Sequence, residues 1–191
     1  MEIIAANDRH EDILSLMQEY IDWLMANDDK MKEVLENQHL EDEIADFNSK
    51  YAPPWGRLYL ALVDGRPAGC AALARLDSET NPDVPSTVSD PADPSTIPNS
   101  ADPDVPVYCE FKRLFVRPEF RGYNIGTQLT EKIISEAKQI GYRFMRLDTF
   151  PFMASAIRLY EYYGFYQINN YCGNPSENAL FYELDLRTDT T

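Results

Sequence analysis

The feature that most constrains this chain is the passage VRPEFRGYNIGTQL, Val116 to Leu129, which reads as a strand end, a glycine-bearing turn and a helix start. A helix N-terminus carries unpaired backbone N–H groups and the positive end of the helix dipole, so such a junction attracts an anion. Two phosphate-binding patterns compete for it. The Walker pattern fails, because Gly126 is followed by Thr127 and no Gly-Lys-Ser/Thr ending exists. Gly122, Asn124 and Gly126 do not spell GxGxxG either, although Asp148 stands about twenty residues on, as the dinucleotide fingerprint expects. An asparagine, Asn124, sits where a turn of this kind would most naturally carry glycine.

Around this junction the chain alternates between strand and helix patterns. Glu2 to Ala6 suits a first strand, and Asp8 and Glu11 have capping-box spacing before a helix whose apolar face is Ile13, Leu16, Met17, Tyr20, Ile21 and Leu24. A more polar helical region runs from about Asp29 to Phe47 and ends before Pro53-Pro54. Arg57 to Val63 and Ala68 to Leu76 flank Asp64-Gly65, which predicts a hairpin. Val107 to Val116 is a strand, Thr127 to about Ile140 a helix stopped by Gly141, and Tyr142 to Thr149 a strand. Pro151 fits the first turn of a helix ending at Gly164; Phe165 to Tyr171 and Leu180 to Leu186 form a last hairpin across Gly173-Asn174-Pro175. The order β, α, α, β, β, β, α, β, α, β, β predicts an α+β (mixed α/β) fold. It has a central mixed, mostly antiparallel sheet of about seven strands, flanked by about four helices.

At 191 residues the chain suits one domain, 1–191, since two would each have a small core. Residues 77–106 depart from the rest: they hold seven prolines and seven acidic residues with no lysine or arginine, the composition of a disordered acidic Pro/Ser-rich insert between two strands. The formal charge of -15 repels nucleic acid and anionic membrane surfaces, so neither is an expected partner. Three cysteines without CxxC spacing, and no N-terminal apolar signal region, fit a reducing cytosol, and a cytoplasmic location is expected. Two histidines, His10 and His39, lie outside any HExxH pattern, so no metal site is expected.

Val116-x-Pro118, then Arg121 to Gly126, then Ala156-Ile157-Arg158-Leu159-Tyr160 through Gly164-Phe165 occur in order across roughly the C-terminal half. In this the chain resembles the GNAT superfamily of acyl-CoA-dependent N-acetyltransferases. Tyr51-Ala52-Pro53-Pro54, Cys109 to Leu114 and Leu147-Asp148-Thr149 extend the likeness to a bacterial subgroup of unassigned substrate. The resemblance implies acetyl-CoA as co-substrate and places cofactor contacts at Leu114, Phe115, Val116, Arg121, Gly122, Tyr123, Asn124, Ile125, Gly126, Thr127 and Met153. Family members usually carry glycine at the position of Asn124, because successive N–H groups aimed at a pyrophosphate need a residue tolerant of positive φ. Asparagine is the best non-glycine substitute there. Met153 stands where many relatives carry asparagine.

The mechanism so implied is direct attack of a neutral amine on the acetyl thioester in a ternary complex. An amine of pKa about 10 is mostly protonated at neutral pH, so a base is needed, and Glu110 on the acetyl-lining strand is the candidate. Its plain alternative is a solvent-facing strand charge. Tyr160, matching the family's tyrosine, is the candidate acid for the thiolate leaving group. Of Lys112 and Arg113, the one facing outward is expected to be solvated. Cys109 beside Glu110 lacks a nearby histidine and reads as a packed residue rather than a nucleophile.

The acceptor is expected to be a primary amine of a small molecule or peptide. Its site would be built from about Ala26 to Asp29 and about Cys172 to Asn178, with Asp28, Asp29 and Glu177 suited to a cation. A homodimer is compatible with the resemblance. The competing function is a non-catalytic acyl-CoA sensor of the same fold, motivated by Asn124 and Met153.

Overall fold

A computed structural model describes residues 1–28, 30–37, 43, 47–76 and 108–188. The insert expected at 77–106 lies outside the described residues, as does much of the region expected to be helical between 38 and 46. Seven strands form one sheet: β1 Glu2–Ala5, β2 Arg57–Val63, β3 Arg66–Arg75, β4 Tyr108–Val116, β5 Phe144–Thr149, β6 Tyr166–Ile168 and β7 Leu180–Asp185. Their order is β1-β2-β3-β4-β5-β7-β6, and only β4 and β5 run parallel. The described helices are α1 His10–Asn27, α2 Met31–Asn37, the single turn α3 Phe47–Lys50, α4 Ile125–Ile140 and α5 Ala154–Tyr162. This is the expected mixed α+β architecture.

Period-two patterning divides the core between the two faces of the sheet. From β2, Leu58, Leu60 and Leu62 join Leu16 and Met17 of α1, while Tyr59 and Ala61 face the opposite side with Leu129 and Ile133 of α4. Asp64 and Gly65 both take positive φ in the β2–β3 turn, as the hairpin signal expects. Gly141 ends α4 in the left-handed region, its N–H bonding the carbonyl of Ala137 at 3.1 Å.

Several boundaries moved. The helix expected at Pro151 begins at Ala154, because Phe150 and Phe152 stack on each other and tie the intervening turn into the apolar cluster beside α1. The Asp8 capping box does not form; Arg9 is the N-cap, and its guanidinium pairs with Asp12 at 2.5 Å. The last hairpin keeps only three residues in β6, and its connection runs through Gly173-Asn174-Pro175 as an irregular loop.

The departure that matters most lies in β4. Across β3–β4 the pairs Cys70↔Phe115 and Ala72↔Lys112 leave Arg113 and Leu114 opposite Ala71 alone, and Arg113 has φ 59. This is a β-bulge, and it shifts the face alternation by one residue. Cys109 and Phe111 point to the α4 side before it; Leu114 and Val116 do so after it, and Phe115 turns to the α1 side. Gly69 is required where β3 meets this end of β4, since a Cβ there would come within 2.6 Å of the Phe115 carbonyl oxygen.

Candidate active site

β4 and β5 are hydrogen-bonded only from Tyr108–Glu110 to Phe144–Arg146. Beyond that β4 follows β3 to Val116 while β5 follows β7 to Thr149, so the two parallel strands separate. The separation leaves the β5-facing backbone edge of Leu114 to Val116 outside the sheet ladder. It opens a cleft of about 450 Å³, within the range of small-ligand sites. Tyr20 and Trp23 of α1 wall it on one side, and Phe152, Ser155, Ala156 and Leu159 at the start of α5 on the other. The Arg117 guanidinium fixes α1 there, bonding Glu19 at 2.7 Å and the Pro67 carbonyl at 2.6 Å.

At one end of the cleft is the turn. A 3-10 segment, Pro118–Phe120, leads to Gly122 at φ 90 and then to Asn124 at φ 58, ψ 22, the left-handed conformation expected of that position. Asn124 is the N-cap of α4, its carbonyl accepting from the N–H of Gln128 at 3.0 Å. The N–H groups of Ile125, Gly126 and Thr127 belong to the first turn and have no intrahelical acceptor. All three residues line the cleft. Arg121 lines it as well, its Nε donating to the Val116 carbonyl at 3.3 Å and its guanidinium 5.9 Å from the Trp23 ring centroid. This donor set fits a phosphate or diphosphate group. Of the positions expected to touch a cofactor, Leu114, Phe115, Val116, Arg121, Gly122, Asn124, Ile125, Gly126, Thr127 and Met153 line the cleft. Tyr123 does not; its side chain is 61% exposed on the outside of the turn.

At the other end a second, small cavity of about 40 Å³ shares Tyr20, Leu114 and Met153 with the cleft. Tyr160 lines it, buried and edge-on to Phe111 at 5.9 Å. Burial pushes the Tyr160 hydroxyl well above the ordinary phenol value, so it stays protonated. Met153 is fixed by the Thr149 hydroxyl, which donates to its sulfur at 3.3 Å.

Glu110 is not a solvent-facing charge: it is 6% exposed. Its Oε1 accepts from the Tyr171 hydroxyl at 2.7 Å, and its Oε2 lies 3.0 Å from the Lys112 ammonium. Burial alone would raise this carboxyl, but the Lys112 charge and the Tyr171 hydrogen bond outweigh it and hold it below the ordinary carboxylate value. Contrary to expectation, neither Lys112 nor Arg113 is solvated: Lys112 precedes the bulge on the same face as Glu110, its side chain only 9% exposed, and the bulge turns Arg113 inward, 8% exposed. The Arg113 guanidinium meets Glu43 through Nε at 2.5 Å and Nη2 at 3.1 Å. Tyr51 and Lys50 also bond that Glu43 carboxylate, at 2.6 and 2.7 Å. Cys109 is fully buried, and burial pushes its thiol well up, as suits a packed residue.

The acceptor-side expectations fare unevenly. Asp29 lies outside the described residues, Asp28 accepts from the Lys30 N–H at 2.9 Å in a local turn, and Glu177 is exposed away from both cavities. From the loop after β6 it is Asn174 that reaches inward, its Nδ2 donating to Asp148 Oδ2 at 2.9 Å. Asp148 lines the small cavity. Tyr20, Trp23, Phe152, Ser155 and Asp148 were not singled out as site residues from sequence. Tyr20 looked like one more member of an apolar helix stripe, and only the strand splay shows which stripe residue faces the opening.

The strand splay thus joins a phosphate-suited turn to a buried, protonated tyrosine. The family model described as the acetyltransferase (GNAT) family matches residues 16–165. An uncharacterized N-acetyltransferase of Dictyostelium discoideum is 31% identical over 98% of this chain and 99% of its own length. One of Schizosaccharomyces pombe is 30% identical over 92% and 88%. The PaiA N-acetyltransferase of Thermoplasma acidophilum, solved in complex with coenzyme A, superposes with a TM-score of 0.61 at 16% identity, covering 97% of this chain and 99% of that one. The chain belongs to the GNAT family and is an acyltransferase by that membership.

Proposed function

We propose that the protein transfers an acetyl group from acetyl-CoA to a primary amine by direct attack in a ternary complex. The observation that carries this is the run of space from the α4 N-terminal turn, past the open edge of β4, to the adjoining small cavity lined by Tyr160. The N–H groups of Ile125, Gly126 and Thr127, with Arg121, hold the diphosphate. The open backbone edge at Leu114 to Val116 guides the pantetheine arm. Tyr160 supplies a proton to the departing sulfur, a role suited to a buried phenol that keeps its proton at neutral pH. Glu110 serves the site through Lys112, whose ammonium it holds at 3.0 Å beside the small cavity.

The sensor alternative draws on Asn124 and Met153. The left-handed geometry of Asn124, which a glycine would also supply, speaks for an intact turn, and Met153 lines the cleft. Calorimetric titration with acetyl-CoA, followed by an amine panel monitored for free thiol, tests the transferase reading. Binding with amine-dependent thiol release is expected; binding without release across primary amines would favour the sensor, and no binding would overturn both.

A further inference from the structure

Given acetyl transfer in this cleft, we infer that Asp148 is the carboxylate that meets the acceptor's amine, and that the acceptor presents that amine on an unbranched carbon. Glu110 and Asp148 come from neighbouring parallel strands at the start of the splay, but they sit differently. Glu110 pairs in register with Arg146, behind the opening, lines neither cavity, and has both oxygens engaged by Tyr171 and Lys112. Asp148 stands two residues beyond that last rung, inside the splay, and lines the small cavity together with Tyr160.

The loop after β6 aims it. The Asn174 side chain is 7% exposed, and its Oδ1 accepts from the Ser176 N–H at 3.0 Å, which turns its Nδ2 toward Asp148 Oδ2. Among the described residues, the titratable and charged groups around Asp148 include Lys112 and Arg113 of β4, Tyr20 of α1, Tyr160 of α5, and Tyr171 and Cys172 of that loop. Lys112 is paired with Glu110, and Glu43 is shared by Arg113 and Lys50; within this set Asp148 supplies the carboxylate that lines the small cavity.

Size narrows the choice further. About 40 Å³ is room for about three waters at most, and Leu24, Met31, Leu35 and Phe150 line the cavity beside its polar groups. An amine on a methylene enters such a space, whereas a branched carbon beside the nitrogen meets the walls. Asp148 holds the ammonium and takes the proton that must leave before the nitrogen attacks. The C–N bond forms as the C–S bond breaks. Of the two protons the nitrogen gives up, one passes through Asp148 to solvent and the other ends on sulfur by way of Tyr160.

The test uses the full chain, acetyl-CoA, and n-butylamine against tert-butylamine as probes, with thiol release and calorimetry as readouts. The wild type is expected to favour n-butylamine by about tenfold or more in kcat/KM. Asp148→Asn should lower kcat/KM for n-butylamine about 100-fold and abolish the heat of n-butylammonium binding to the enzyme–CoA complex, while keeping acetyl-CoA affinity within about twofold. Glu110→Gln should cost less than about tenfold. If Asp148→Asn melts early, Asp148→Glu retains the carboxylate and is expected to be the more active of the two. A larger loss in Glu110→Gln than in Asp148→Asn would overturn the assignment. So would indifference to branching, or no turnover of n-butylamine by an enzyme that binds acetyl-CoA. Failure of the wild type to bind acetyl-CoA would instead overturn the transferase reading itself.

Discussion

The two ends of the cleft are built in opposite ways. At the α4 end the proposed coenzyme-binding groups are backbone N–H donors between Gly122 and Thr127, placed by local geometry within a few residues of chain. At the Tyr160 end they are side chains from α1, β4, β5, α5 and the loop after β6, brought together by burial and paired charges. A backbone site tolerates side-chain change so long as the dihedrals survive. A side-chain site depends on every partner in its network.

The largest expected effect lies at the side-chain end. Glu43→Ala would leave the Arg113 guanidinium buried without its carboxylate, and should cost about 3–5 kcal/mol by chemical denaturation. Its pH dependence carries a definite sign. Burial works against the Glu43 charge, but Arg113 outweighs it and holds the carboxyl far below its ordinary value. The stabilisation is therefore complete above the unfolded value of about 4.3 and is lost as pH falls below it. The stability gap between wild type and Glu43→Gln should narrow as pH is lowered from about 5 toward 2; a constant gap would mean that the pair does not act through charge.

Next in size is Tyr160→Phe, expected to lower kcat about 100-fold, equivalent to about 2.7 kcal/mol, with acetyl-CoA affinity changed less than about twofold. An unchanged kcat would remove the tyrosine from the chemistry. At the backbone end the effects shrink and follow conformation. Asn124→Val forces a β-branched residue into the left-handed region and should cost about 1–2 kcal/mol of stability and weaken acetyl-CoA binding. Asn124→Gly relieves that strain but loosens the unfolded chain, so it should shift stability by less than about 0.5 kcal/mol and leave affinity nearly unchanged. If the glycine variant bound acetyl-CoA far more tightly, the turn would be less well formed than its dihedrals indicate.

The same contrast explains what could be read in the sequence. Gly122, Asn124 and Gly126 announced the turn, and Asp64-Gly65 announced a hairpin, because each signal is local. The bulge at Arg113 was hidden. Phe-Lys-Arg-Leu-Phe-Val reads as ordinary alternation, and only the β3 register and a buried Glu43 show why two adjacent cations point inward. Asp148 stands out in the sequence only as a spacing coincidence, since Tyr20, which shares its cavity, and Asn174, which bonds its carboxylate, come from opposite ends of the chain. Tyr123 belongs to the same motif, but its side chain is exposed and does not line the cleft.

The most direct test of the backbone-built cofactor site is an amide NMR titration of the ¹⁵N-labelled protein with acetyl-CoA. The N–H resonances of Gly122 to Thr127 are expected to shift most and in one saturating step, with those of Leu114 to Val116 following along the open edge of β4. Saturable binding that left Gly122 to Thr127 unmoved would contradict the account, because the coenzyme would then be held somewhere other than the turn.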